Sequence, residues 1–469
     1  MAGAERHRLT GVAPEPIRLI HLARRSTAGR LAGVDGLRGV RWSRGVRPGA
    51  PGSRATRLEL FYDLVFVFAF IQVTTLTADN FTPRGLLQCV VVLVLLWWAW
   101  TGFAVIGNLV RTDQGVLPFV AFATMGGALV FALAMPQAFS STAGGLSGPL
   151  VFAICYFLVR VVQVGVLGWL ARGDPELRRR FLAAMGRAAV VGTLVLAAAL
   201  LPQRLADEAG EIGLRLLFWI AAIVVEYGAA VALGSSNWTL LSAGHWAERH
   251  ALIVLVALGE TIIALGLGAH FVVDTPLTWL VILSGMLAVA VVAALWWSYF
   301  DTLALALEQV LHRTRDPRAR SALARDAYTY LHLPLVAGPI LFALGLKRVL
   351  TGAAEPATSA GSLLPAGELL VLHGGVALYL VTLVALGWRV LRTLRWPTVG
   401  GVCLLVLLLP VAAQVPELVT LTLLTVVVLA MTVVQTLTDA PLRRQVREVA
   451  MAEQLAAEAE QTTWRGRHL

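Results

Sequence analysis

Glu59 and Asp63 lie four residues apart in RLELFYDLVFVFAF, the head of an apolar run over residues 58–78. Helical spacing puts both carboxylates on one face, which Thr74 and Thr77 continue toward the other end of the run. A carboxylate deep in a membrane helix costs ~2.5–3.5 kcal/mol on insertion scales, so it turns toward a bundle interior and a partner. Proton or cation handling is the chemistry such groups suit, with Arg57 or a residue of the seventh apolar run, near 250–269, as the counter-charge. The stretch SAGHWAERHALIVLVALGETIIALG repeats the pattern: Glu248 stands at the mouth, while His245, Arg249 and Glu260 share a face. Glu226, Arg160 and Asp301 are further ionisable groups in or beside apolar runs, and Glu226 and Arg160 can pair with each other. Plainer roles stand beside these, with Arg57 and Glu59 as interfacial anchors and Glu260 as a hydrogen-bond partner for a facing polar side chain.

Other chemistries find little support. In HWAERH the two histidines are five apart and point in different directions, unlike His-Glu-x-x-His or its inverse, so no metal site is expected. Neither a Gly-rich phosphate loop nor a Ser-centred nucleophile elbow is present. Cys89, Cys155 and Cys403 lie in apolar runs without metal or redox spacing. The chain therefore reads as a non-enzyme without a cofactor. Its net charge of +10 is mostly arginine in tails and short connections, where it orients a membrane protein, so nucleic acid is not an expected partner.

The elements that must carry these residues follow from composition. Apolar residues make up 58% of the chain, charged residues 14%, and the mean hydropathy is +0.75, a polytopic membrane composition whose first partner is the lipid bilayer. Twelve apolar blocks predict twelve helical spans, near 58–78, 85–107, 116–136, 149–170, 182–201, 214–233, 250–269, 277–300, 330–349, 367–388, 398–413 and 417–436. The eleventh is short and runs into Pro410, so a re-entrant or broken helix is its rival reading. Connections after even-numbered spans, together with the adjoining span ends, hold fifteen arginines, against five arginines and lysines after odd-numbered ones, which predicts both termini in the cytoplasm. Residues 1–57 read as a disordered basic tail, and a start at a later Val codon is compatible with their Arg/Gly-rich composition. Residues 437–469 read as a cytosolic helical tail capped at Asp439.

Two pairs of matching segments suggest an internal repeat. ELFYDLVFVFAF and ERHALIVLVALG align Glu59 with Glu248 at an offset of 189, while LLWWAWTGF and ALWWSYFDT align Trp97 with Trp296 at an offset of 199. Two tandem six-span units, 58–233 and 245–436, would then share one orientation and a pseudo-twofold axis along the membrane normal.

On ELFYDLVFVFAF, LWWAW, LWWSYFD and HWAERHALIVLVALGETIIALG, the chain resembles the bacterial low temperature requirement A family, LtrA, over roughly residues 57–436. The resemblance implies a multi-pass bacterial membrane protein linked to growth in the cold, and it brings no settled substrate. A fainter similarity, through Arg57, Phe61 and Asp63, is to potassium channels built of two six-span repeats, although Tyr62 stands where those channels have serine. Transport of a small ion or solute is the leading expectation. The alternative is a non-transporting scaffold, sensor or lipid-binding protein.

Overall fold

The computed structural model describes residues 53–78, 81–140, 145–172, 175–232, 240–267, 278–354 and 362–468. Of the basic tail expected over 1–57, residues 1–52 lie outside them, and Arg57 already belongs to the first helix. Among the described residues the regular structure is helical, and the one β-bridge joins Leu363 to Pro416. The first half holds α1 (Arg57–Ala78), α2 (Pro83–Leu109), α3 (Leu117–Ala134), α4 (Gly148–Leu170), α5 (Pro175–Leu200), the short α6 (Pro202–Leu205) and α7 (Glu208–Ala232). The second holds α8 (Ala243–Leu267), α9 (Trp279–Phe300), α10 (Leu303–Arg313), α11 (Pro317–Leu323), α12 (His332–Ala354), α13 (Ala366–Leu386), α14 (Trp396–Ala412), α15 (Glu417–Thr438) and α16 (Ala440–His468). Segments Ala324–Tyr330 and Gly387–Leu391 are π-helical.

Among the described residues, eleven helices are long and apolar enough to cross a membrane. The eleventh block is α14, one helix that continues through Pro410 and packs between α13 and α15. Its 17 residues are shorter than the ~20 that a hydrocarbon core of ~30 Å asks for. The fold is an all-α polytopic bundle with a lipid-facing apolar surface. On α1, for example, Leu60, Phe61 and Leu64 are exposed while Tyr62, Asp63, Phe66 and Phe70 are buried.

Many helix pairings of one half have a counterpart in the other, although α12 also packs on α9 and α15 without an equivalent in the first half. α1 packs on α2 and α3, α2 on α4 and α7, α3 on α4, α4 on α5, and α5 on α7. Likewise α8 packs on α9 and α12, α9 on α13 and α15, α12 on α13, α13 on α14, and α14 on α15. The halves meet where α1 lies along α8, and where α12 reaches α1 and α2. Close approach of α12 and α13 depends on glycine: a Cβ at Gly375 would stand 2.5 Å from the Phe342 backbone nitrogen and 2.6 Å from the Gly338 carbonyl oxygen.

The last helix is tied down at its start. Arg447 contacts Asp301 at 2.6 Å and Arg443 contacts it at 3.4 Å, while Gln309 Nε2 donates to the Val446 carbonyl at 2.8 Å. Asp439 immediately precedes α16, its carbonyl accepts from the Arg443 N–H at 2.9 Å, and its carboxylate accepts from Arg395 at 2.5 Å. Arg447 is half exposed, so each ion pair is worth at most ~1 kcal/mol. Asp301→Ala should therefore leave the bundle intact while loosening the root of α16. Limited trypsinolysis should show faster cleavage at Arg443, Arg444 and Arg447, and unchanged cleavage would place the anchor elsewhere.

Candidate functional site

The N-termini of α1 and α8 are built alike. Thr56 precedes α1 and its hydroxyl accepts from the Glu59 backbone N–H, while Glu59 Oε2 accepts from the Thr56 N–H at 2.7 Å, a reciprocal capping box. Ser242 precedes α8 and its hydroxyl accepts from the His245 N–H. The two helices lie side by side and parallel, and polar side chains meet at three levels with one constant register. Glu59 meets His245, Asp63 meets Arg249 and Thr74 meets Glu260, each pair 186 positions apart.

At the first level His245 Nε2 lies 3.1 Å from both Glu59 carboxylate oxygens. Gly107 of α2 makes room for this pair, since a Cβ there would collide with Glu59 Oε1. Asn108 fastens the end of α2 to the entry of α8: its amide donates to the Ser242 carbonyl at 2.7 Å and accepts from the Leu241 N–H at 2.9 Å. A pocket of about 720 Å³ adjoins this level, lined among others by Arg54, Arg57, Gly107, Arg111, Asp113 and His245. In the connection beside it, hydrogen bonds from Arg111 hold the Asp113 carboxyl below the usual carboxylate range.

The second level is closed and charged. Asp63 Oδ2 accepts from Arg249 Nη1 at 2.6 Å and Oδ1 accepts from Trp100 Nε1 at 2.9 Å, so both oxygens are used. Arg249 also donates to the Glu59 carbonyl at 2.8 Å and lies 5.5 Å from the centre of the Trp100 ring, a cation–π distance. Its Nε and Nη2 are buried without partners. Next to it on α8, His250 is enclosed by Trp97, Trp100, Trp246, Tyr328 and His332, with ring centres 4.6–5.9 Å away.

The third level is incomplete. The Thr74 hydroxyl proton is shared between the Ile71 carbonyl at 2.8 Å and Glu260 Oε1 at 3.1 Å, and Lys347 of α12 donates to the same hydroxyl oxygen at 2.7 Å. Glu260 Oε2 is fully buried and has no partner.

These contacts unite Glu59, Asp63, His245, Arg249 and Glu260, five of the residues singled out by spacing, along one seam. Glu248 is beside it, where Oε2 accepts from the Ala55 N–H at 2.7 Å. Arg57 is exposed and pairs with none of them, so the counter-charge of Asp63 comes from α8. Glu226 lies apart, with Arg160 at 3.1 Å and Arg187 at 2.8 Å on the same carboxylate oxygen. Asp301 holds α16 and is no part of the seam. The side chains of HWAERH diverge: His245 turns to Glu59, Glu248 to Ala55, and His250 Nδ1 to the Trp246 carbonyl. Spacing alone did not single out Gly107, Asn108, Trp100 or Lys347 as parts of the site.

Comparison with known proteins fits this architecture. The profile of the bacterial low temperature requirement A protein, LtrA, matches residues 54–433, from just before α1 to within α15. The chain belongs to the LtrA family. An uncharacterized protein of Rhizobium meliloti is 31% identical over 303 residues, covering 62% of this chain and 69% of its own length. No solved structure matches. Like its family, the LtrA chain is a multi-pass helical membrane protein, and the α1–α8 seam lies wholly inside the matched region.

Proposed function

We propose that this LtrA-family chain is a transport or channel-like protein that moves a small ion or solute, with a proton or monovalent cation as the cargo its seam best suits, and that it is not an enzyme. The observation that carries the reading is the buried ladder of ionisable groups between α1 and α8, which ends at a carboxylate oxygen without a partner. Such groups are costly in a bilayer and are kept where ions or protons pass. The proposed setting is the bacterial inner membrane, with both termini in the cytoplasm, following the arginine bias of alternate connections.

The route would run between two six-span repeats. The matching helix pairings of the halves support that arrangement, and so does a reciprocal contact: Glu59 reaches His245 of α8, while its proposed counterpart Glu248 reaches back to Ala55 before α1. Such exchange is the mark of an isologous contact between related units. The traffic of α12 onto α1 and α2 is the less even part of the interface.

A second reading, a non-transporting scaffold, sensor or lipid-binding protein, is favoured by the saturation of Glu59 and Asp63. Pairs with every oxygen satisfied are what a structural staple requires. Flux into proteoliposomes across a panel of ions and solutes, with and without a proton gradient, separates the two. Saturable uptake of a cation, reduced to the protein-free rate by Glu260→Gln, is expected. If no ion or solute crosses under any gradient, the staple reading takes its place. For orientation, a reporter fused after residue 440 should read as cytoplasmic, and a periplasm-active fusion would overturn the topology.

A further inference from the structure

Lys347 is the one lysine in the chain, against 37 arginines. Every other fixed positive side chain, in connections, tails and buried pairs alike, is a guanidinium. The exception lies beside the one fully buried carboxylate of the α1–α8 seam that keeps an oxygen unpartnered. A guanidinium stays charged in any protein setting, whereas an amine can shed its proton when desolvated. That difference separates the first two levels of the seam from the third, because Glu59 and Asp63 are each directly paired while the Lys347 ammonium touches Glu260 only through the Thr74 hydroxyl.

We propose that Lys347 is the displaceable counter-ion of Glu260, holding by its ammonium the place that an inorganic monovalent cation takes, so that cation entry is exchanged for the lysine's proton. The inference rests on the transport reading and names its substrate class and its coupling. The balance is simple. With Lys347 protonated, Glu260 and Lys347 together are neutral; when a cation binds Glu260, the ammonium gives its proton to water, and the cation, the carboxylate and the free amine are again neutral together. A second cation retained in the site would leave an unpaired charge in the membrane, which is the costly state. No covalent bond changes apart from the N–H bond broken, and water carries the proton away.

The geometry suits such an exchange. Lys347 is half-buried in the last two turns of α12, a position from which a lysine stem snorkels toward the membrane interface, whereas Glu260 is fully enclosed. Thr74 is hydrogen-bonded to both and can stay as an oxygen ligand when the ammonium leaves. The other groups facing the pair are the Thr77 hydroxyl of α1 and the Cys89 thiol of α2, both uncharged. The nearest further charges, Arg348 and Glu368, pair with each other at 3.3 Å.

A sole lysine makes the test direct. The purified full-length protein in detergent, at one fixed pH, is treated with an amine-acetylating reagent in lithium, sodium, potassium or rubidium chloride, or in N-methylglucamine chloride as the bulky control. Acetylation at Lys347 is read by mass spectrometry. One or more inorganic cations should raise acetylation several-fold over the control by freeing the neutral amine, and Glu260→Gln should remove the dependence on salt. Equal acetylation in every salt, or none at all, overturns the proposal. In proteoliposomes, cation uptake should release protons in the wild type and not in Lys347→Arg. Cation uptake that is unchanged by Lys347→Arg would remove the exchange and leave the transport reading standing, whereas no uptake in the wild type removes both. Should Lys347→Arg fail to fold, the acetylation of the wild type still decides.

Discussion

Asp63→Asn should prevent the protein from accumulating in the membrane as a monodisperse species. The wild-type carboxylate accepts from Arg249 at 2.6 Å and from Trp100 at 2.9 Å. Arg249 is fully buried and already leaves two nitrogens without partners. An asparagine keeps the size and one acceptor but removes the charge, so the guanidinium becomes an uncompensated buried cation. Breaking such a pair from one side costs about 3–5 kcal/mol. Removing both charges is a different matter: Asp63→Leu combined with Arg249→Met should recover much of the loss, since neither partner is then left alone. Size-exclusion profiles and thermal unfolding in detergent compare the three proteins. An Asp63→Asn protein as stable as the wild type would show that this pair does not hold α1 against α8. Loss of growth or flux in Asp63→Asn therefore says little about transport, and Glu260→Gln is the informative isosteric change, because it strips no buried cation of a direct partner.

The second large effect is expected at Gly375→Ala. The added Cβ would meet backbone on α12, the Phe342 nitrogen at 2.5 Å and the Gly338 carbonyl oxygen at 2.6 Å, and backbone atoms cannot turn aside as a side chain can. The helices must separate, and helix association in a membrane depends on close packing because lipid offers apolar contact just as good. Overpacking of this kind costs about 1–3 kcal/mol, more where no rotamer relieves it. Since α12 carries Lys347, the separation should also draw its amine away from Thr74. Gly374→Ala is the control, because a Cβ there meets nothing within 4 Å. A Gly375→Ala protein that melts with its Gly374→Ala control would remove glycine contact as the reason for the tight α12–α13 packing.

The sequence by itself determined that the chain is a bundle of apolar helices and which faces of α1 and α8 carry charge, while the 17-residue α14 falls short of the twelfth full span that its apolar block predicted. Membrane helices satisfy their backbone internally, so a run of about 20 apolar residues specifies an element without reference to anything else. The spacing of Glu59 with Asp63, or of His245 with Arg249, specifies a face for the same local reason. Composition also distinguishes Lys347, a lone lysine in an arginine-rich chain, although only its place beside Thr74 and Glu260 gives that distinction a meaning. Only the tertiary structure decided the partners. Arg57 and Arg249 were equal candidates for Asp63 by charge, and Glu226 could pair with Arg160 without any sign that Arg187 would share it. Asp301, in a segment that looked equivalent to the end of α2, instead anchors a helix that begins 139 residues later. The reason is physical. Periodicity fixes how a helix is turned about its own axis, whereas a pair such as Asp63–Arg249 also depends on how far one helix slides along another, a register between segments 186 residues apart that only tertiary packing sets.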